Sequence, residues 1–198
     1  MSLHLQTTWG AQHQSVLDVK AYFNNWTTYQ ADLAGYELHS SIFKLGVSLF
    51  KPSEPISDLG CGPGSAGLPW IKEGYTLHGY DLSETLLEQA TSFGYSTVQV
   101  CNLLDVGHLK QIIPFSQGLC IGVLGDYVPA EIILPELTEA LLPGGTLLFT
   151  IENTYYLKYL EELELLLSKP EVTYLGTIHL KGGAIRGEVL QVFKTSKA

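Results

Sequence analysis

At 198 residues the chain is long enough for one domain with a well-buried core, and its 45% hydrophobic content is that of an ordinary globular protein. A net charge of −9, with no run of Lys or Arg, argues against a general nucleic-acid binder, because such binding needs basic side chains on phosphates. No apolar stretch is long enough to cross a membrane, and the N-terminus lacks the basic-then-apolar pattern of a signal peptide, so a cytoplasmic location is expected. Cys61, Cys101 and Cys120 are odd in number and lack metal-ligand spacing, which reads as small buried hydrophobes in a reducing compartment with no metal.

In chain order, residues 1–12 read as polar and loose, and residues 13–50 as mostly helical. Val16, Val19, Tyr22, Phe23, Trp26 and Tyr29 recur at spacings of three and four, one apolar helix face. A second helix is expected from about Tyr36 to Phe50, with Leu38, Ile42, Leu45 and Leu49 inward. Lys51-Pro52-Ser53-Glu54-Pro55 breaks the chain. Strands and helices then alternate. Strands are expected at Ile56–Leu59, Thr76–Tyr80, Thr97–Cys101, Gly118–Leu124 and Thr146–Glu152. Helices are expected from Ser65 to about Glu73, from Ser83 to Gly94, near Gly107–Ile112, from Pro129 to Leu142 and over about Tyr155–Ser168. Ser83 can cap the second of these, which carries Leu86, Leu87, Ala90 and Phe93 inward. Val172–Leu180 and Glu188–Lys194 read as two more strands. The Gly-rich link between them leaves no room for a helix, so this pair should be antiparallel.

The stretch Ile56-Ser57-Asp58-Leu59-Gly60-Cys61-Gly62-Pro63-Gly64-Ser65 is the most informative. It reads as a buried strand, an acid, a turn with glycine at every second position and the start of a helix. Glycine accepts positive φ and carries no side chain to hold a ligand away, so a polar ligand can lie against this backbone. A dinucleotide and S-adenosylmethionine are the two common ligands of such a turn. The dinucleotide fingerprint G-x-G-x-x-G fails here, because Ser65 stands where its third glycine belongs. Asp81, at the end of the second strand, can accept both ribose hydroxyls of an adenosine in either ligand.

The D-L-G-C-G-P-G pattern resembles the first motif of the class I S-adenosylmethionine-dependent methyltransferases. The resemblance spans roughly Tyr22–Thr195 and includes Asp81 and the Leu142-Pro143-Gly144-Gly145-Thr146-Leu147 turn. It implies an α/β fold: a three-layer, doubly wound sheet of seven strands, mostly parallel with a C-terminal antiparallel pair. Residues 1–50 would form a helical cap on a Rossmann-like core at 56–195. The resemblance further implies that Asp58, Gly60, Cys61, Gly62 and Gly64 surround the amino-acid part of the cofactor, where Asp58 either holds its ammonium group, directly or through water, or accepts backbone N–H bonds as a turn residue. Leu82 and Leu103 would flank the adenine, and Asn102 or Asp105 would accept from its amino group. Gly122 and Val123 would lie where donor and acceptor meet. Tyr22-Phe23-Asn24-Asn25-Trp26-Thr27-Thr28-Tyr29 is similar to the entry segment of small-molecule methyltransferases, including the Williams–Beuren region methyltransferase-like group. By that likeness Tyr22, Trp26 and Tyr29 either roof the cofactor or pin the helix to the core. Asp126 and Tyr127 either touch substrate or cap the next helix, and His39 either faces the pocket or faces solvent.

The expected activity is methyl transfer from S-adenosylmethionine to a small molecule, leaving S-adenosylhomocysteine. A nicotinamide-dependent oxidoreductase and a non-catalytic S-adenosylmethionine-binding protein are the alternatives. No nucleic-acid or membrane partner is expected, and the chain would act as a monomer or homodimer.

Overall fold

The computed structural model describes residues 16–26, 38–105, 109, 112, 114–179 and 189–197. Among the described residues the helices α1 (Val16–Asn25) and α2 (Leu38–Gly46) precede the sheet, with a 3-10 turn at Val47–Leu49. There follow β1 (Ile56–Leu59), α3 (Leu68–Lys72), β2 (Leu77–Asp81), α4 (Glu84–Ser92), β3 (Thr97–Val100), β4 (Phe115–Leu124), α5 (Ala130–Ala140), β5 (Leu141–Glu152), α6 (Asn153–Lys158), α7 (Leu160–Leu167), β6 (Val172–His179) and β7 (Val189–Ser196). The expected helix near Gly107–Ile112 and the aromatic Tyr29 fall largely or wholly outside the described residues.

The seven strands run β3-β2-β1-β4-β5-β7-β6. β1 to β5 pair in parallel, and β7 runs antiparallel to both β5 and β6. This is the doubly wound sheet with a terminal antiparallel pair that the alternating elements imply. Strand order reverses between β1 and β4, and that switch point opens a crevice at the carboxyl ends of the strands.

Side chains alternate across a pleated strand, so the apolar residues divide into two cores. On one face Ile56, Leu77, Leu119, Leu148 and Val192 pack with Leu38, Ile42, Phe50, Trp70 and Tyr95. On the other, Leu59, Tyr80, Cys120, Leu147, Phe149 and Phe193 pack with Leu134, Leu137, Tyr155 and Leu163. β1 is buried along its whole length, as befits a central strand covered on both faces. A buried glutamine sets its entry: Gln117 Nε2 donates to the carbonyls of Lys51 and Glu54 at 3.0 and 2.7 Å, and its Oε1 accepts from Lys51 N. The broken stretch before β1 is thereby tied to β4.

Several boundaries differ from expectation. The first crossover helix begins at Leu68 rather than Ser65, because the chain stays in turns through Gly67; Pro69 does lie in its first turn. Leu45, expected inward, is 39% exposed, since the helix ends at Gly46 and its buried face is Leu38, Ile42 and Gly46. Phe93 is the C-cap of α4 and only half-buried. The helix expected over Tyr155–Ser168 is two, α6 and α7, divided where Tyr159 leaves helical geometry at φ −116°, ψ 34°. Strand five begins at Leu141, so its Pro143-Gly144-Gly145 turn lies inside the strand's span. Ser83 caps α4 as expected, its Oγ accepting from Leu86 N at 3.2 Å.

Candidate functional site

A cleft enclosing ≈ 860 Å³, part of it open solvent, lies at the carboxyl ends of β1, β2 and β4. Its floor is the turn after β1. Gly60, Gly62 and Gly64 all have positive φ, at 77°, 54° and 90°. The turn is held from β2, where Tyr80 O accepts from Gly60 N at 2.7 Å and from Cys61 N at 3.0 Å.

The three glycines are required for different reasons. A Cβ on Gly60 would stand 2.4 Å from Val123 Cγ2, so its bareness lets the β4 wall close on the turn. Gly62 lines the cleft, and its N–H is bound from below by Asp81. Gly64 is not on the cleft wall. A Cβ there would meet the Tyr95 ring at 2.7 Å and Ala90 Cα at 3.1 Å, so its place is in the core. The expectation that Gly64 faces the ligand is corrected accordingly. The helix that follows has five residues and starts beyond the cleft, so the turn itself, not a helix N-terminus, presents the backbone.

Asp81 lines the cleft at the end of β2. Its Oδ2 accepts from Gly62 N at 2.8 Å and its Oδ1 from Ser83 N at 2.9 Å. Each oxygen retains a second lone pair for a ligand hydroxyl. Burial raises its carboxyl above the usual range, opposed by the backbone N–H groups of Ser83, Gly62 and Leu82. Leu82, Cys101, Asn102 and Leu103 continue this wall. Asn102 Oδ1 accepts from Leu104 N at 3.1 Å, which fixes the side chain in a local turn.

Asp58 lies elsewhere than expected. It is 1% exposed, off the cleft wall, and its carboxyl accepts from the Tyr95 hydroxyl beneath the glycine turn. Burial pushes it up to about 7, with the Tyr95 hydrogen bond opposing and the charge of Asp81 adding. Cys61 lines the cleft, and its thiol is pushed up by burial and by Asp58 and Asp81. No thiolate nucleophile is therefore formed there near neutrality.

The opposite wall is Ile121, Gly122, Val123, Tyr127 and Val128 from the end of β4 and the loop after it. Gly122 has φ 71°, and its N–H donates to Thr150 Oγ1 at 2.8 Å, which secures the irregular end of β4 against β5. Asp126 does not line the cleft; it pairs with Lys158 on α6 at 2.9 Å in an exposed salt bridge. Of the two substrate candidates on this loop, only Tyr127 reaches the wall.

The N-terminal helices supply Val19, Phe23 and His39. α1 is tied to α4 by the Lys20–Glu84 pair at 2.5 Å and by Ser83 Oγ donating to Asn24 Oδ1 at 2.5 Å. The cap residue of α4 is thus also the anchor of α1. Of the two readings of Tyr22 and Trp26, the packing one is seen: they lie on Phe23 at 5.4 and 6.2 Å between ring centroids, and Phe23 is the aromatic of α1 that lines the cleft. Burial lowers the His39 imidazole to about 4, so it is neutral at physiological pH. Among the described residues no group of three His, Cys, Asp or Glu is placed to hold a metal ion, and no helix is long and apolar enough to cross a membrane.

Tyr95, Phe23 and Val123 are central to this geometry. Val123 was legible as a strand-end residue, and Phe23 as part of an apolar stripe. Nothing in the sequence around Tyr95 marks it, because its partners are distant in the chain.

Solved structures share this architecture at low sequence identity. The magnesium protoporphyrin IX methyltransferase of Synechocystis PCC 6803 with bound S-adenosylhomocysteine superposes with a TM-score of 0.68 at 15% identity, covering 92% of this chain and 99% of that one. A SAM-dependent methyltransferase from Anabaena variabilis gives 0.67 at 14% identity, covering 93% and 96%. A Thermotoga maritima SAM-dependent methyltransferase, described as a possible histamine N-methyltransferase, gives 0.61 at 18%, covering 90% and 99%. No protein-family model and no curated protein matches the chain. The fold is that of the class I S-adenosylmethionine-dependent methyltransferases.

Proposed function

We propose that the protein is an S-adenosylmethionine-dependent methyltransferase acting on a small molecule, with S-adenosylhomocysteine as product. The observation that carries this reading is the pairing of Asp81 with the glycine turn. One carboxylate both fixes Gly62 and presents oxygens to the cleft, at the end of the strand next to the switch point. The residues present fit an adenosyl ligand. Asp81 would accept the ribose hydroxyls, and Leu82 and Leu103 would flank the adenine. Gly60, Cys61 and Gly62 would lie along the amino-acid part. Asp58 would act on its ammonium through the floor of the turn rather than by contact.

When bound, the cofactor supplies an electrophilic methyl group. The chain's own task is then positional, because alignment of donor and acceptor at near-attack distance supplies much of the rate of a displacement. Phe23, Tyr127, Val128 and His39 bound the remaining part of the cleft and would hold the acceptor and exclude water. Burial keeps the His39 imidazole neutral at this edge of the cleft. The three cysteines are free and buried, in keeping with a reducing compartment.

Calorimetry with S-adenosylmethionine, S-adenosylhomocysteine and NAD(H) tests the reading. The expected outcome is micromolar binding of the adenosyl pair, no binding of NAD(H), and loss of the former in Gly62→Arg. Binding of NAD(H) alone, or undiminished affinity in Gly62→Arg, would overturn it. Transfer of labelled methyl groups into a metabolite extract then separates an enzyme from a binding protein.

A further inference from the structure

Tyr95 occupies the space beneath the glycine turn. Gly94 ends α4 with φ 103°, and the reversal drives the next residue into the core, where Tyr95 is 5% exposed. Three glycines make room for its ring. Added Cβ atoms would stand 2.7 Å from it at Gly64, 2.6 Å at Gly67 and 2.9 Å at Gly79. So much bare backbone around one side chain places its hydroxyl on a single target, the carboxyl of Asp58.

Asp58 is a buried acid whose surroundings are unfavourable to charge. The titratable groups that face it are Asp81 from β2, Cys61 from the turn, Cys120 from β4 and Tyr95 itself. None is a cation. The thiols and the second carboxyl do nothing to stabilise an anion there, and the Tyr95 hydroxyl is the one donor recorded to its side chain among the described residues. A phenol that donates to a carboxylate favours the ionised form.

We propose that Tyr95 is a positioning residue of this site: through its hydrogen bond it holds Asp58 ionised under the turn, and so sets the pH above which a ligand bearing an ammonium group is bound. The proposal rests on the reading of the cleft as an S-adenosylmethionine site. Ligand binding and proton release are coupled in it. A cation in the cleft draws the Asp58 carboxyl toward its charged form, and the displaced proton leaves to solvent. Burial supports this balance, since it leaves Asp58 near the point where either form is accessible around neutrality.

The test is the pH profile of S-adenosylhomocysteine affinity, by calorimetry, for the full chain and for Tyr95→Phe and Asp58→Asn. Tyr95→Phe keeps the ring and removes only the donor. Its acid limb is expected to move up by about one pH unit, and the limb is expected to vanish in Asp58→Asn. A Tyr95→Phe protein that has lost thermal stability while its acid limb stays in place shows a merely structural tyrosine and overturns the proposal. The carboxyl ¹³C signal of Asp58, titrated by NMR in the ligand-free protein, makes the same comparison without any ligand. An unchanged Asp58 titration in Tyr95→Phe also overturns it. Absence of binding by the unmodified chain at every pH defeats the functional reading instead, while the carboxyl titration still reports whether Tyr95 governs Asp58.

Discussion

The two walls of the cleft are built by different means. The β1–β2 wall is made from backbone, with positive-φ glycines, strand-end N–H groups and one carboxylate that binds two of them. The wall formed by β4 and the N-terminal helices is made from side chains: Val123, Tyr127, Phe23 and His39. A backbone wall is specified within a few consecutive residues, and its chemistry follows from the motif. A side-chain wall is assembled from distant segments, so its shape follows only from packing. The groups behind and on them are also held in opposite senses: Asp58, beneath the glycine turn, is raised, and the His39 imidazole on the other wall is lowered.

That opposition gives the largest expected effect. Asp58 is pushed up from the ordinary carboxylate value to about 7. Its contribution to stability is present below pH 4 and is lost as pH rises toward 7, amounting to about 4 kcal/mol. His39 is pushed down from 6.5 to about 4. Its contribution is present above pH 6.5 and is lost as pH falls toward 4. The two slopes oppose each other over nearly the same window. Urea unfolding between pH 4 and 8 should therefore show Asp58→Asn losing stability toward acid more steeply than the unmodified chain. His39→Gln should lose it more steeply toward neutral. Identical slopes in both variants would remove the electrostatic contrast between the two sides of the cleft.

Ligand affinity sharpens the comparison next. Asp81→Ala removes the acceptor from the backbone wall and loosens Gly62, so S-adenosylhomocysteine should bind about 100-fold more weakly, near 2.7 kcal/mol. Tyr127→Phe, on the side-chain wall, keeps the ring and should leave that affinity within about threefold. Equal losses, measured by calorimetry, would mean that the adenosyl group does not lie along β2.

The smallest effect concerns glycine itself. Gly64 and Gly122 both have positive φ, at 90° and 71°, and share the strain that an L side chain meets there. They differ in room: a Cβ on Gly64 runs into Tyr95 and Ala90, whereas nothing lies within 4 Å of one on Gly122. Gly64→Ala should thus be the more destabilising by about 1–3 kcal/mol, the cost of overpacking. Unfolding midpoints of the two variants measure the difference directly.

The legible parts of the fold are local. β1 was readable as a short apolar run between a Pro-containing break and a glycine turn, and its bounds agree with the structure residue for residue. Ser83 as a cap and Gly74 and Gly94 as helix stops were readable because each acts within four residues of itself. On the cleft wall, Gly60, Gly62, Asp81, Leu82, Asn102, Leu103, Gly122 and Val123 are all strand-end positions, where the rule for open α/β sheets puts a ligand. Side chains with a choice of direction are not legible in this way. Asp58, next to the turn in sequence, points under it to Tyr95, and Tyr22 and Trp26 lie on a cleft-facing helix without facing the cleft.

By itself, then, the amino-acid sequence determined the order of strands and helices, the glycine turn and the end of β2 that faces it. Those features depend on φ preferences, caps and apolar periodicity over short spans, where chain connectivity does the placing. Tertiary structure alone decided which groups meet across the chain: Tyr95 with Asp58 over 37 residues, Ser83 with Asn24 over 59 and Gln117 with Lys51 over 66. Such pairs form only after sheet order and helix packing bring their elements together. Each is a hydrogen bond between buried or half-buried groups, whose cost if left unmade is what selects the partner.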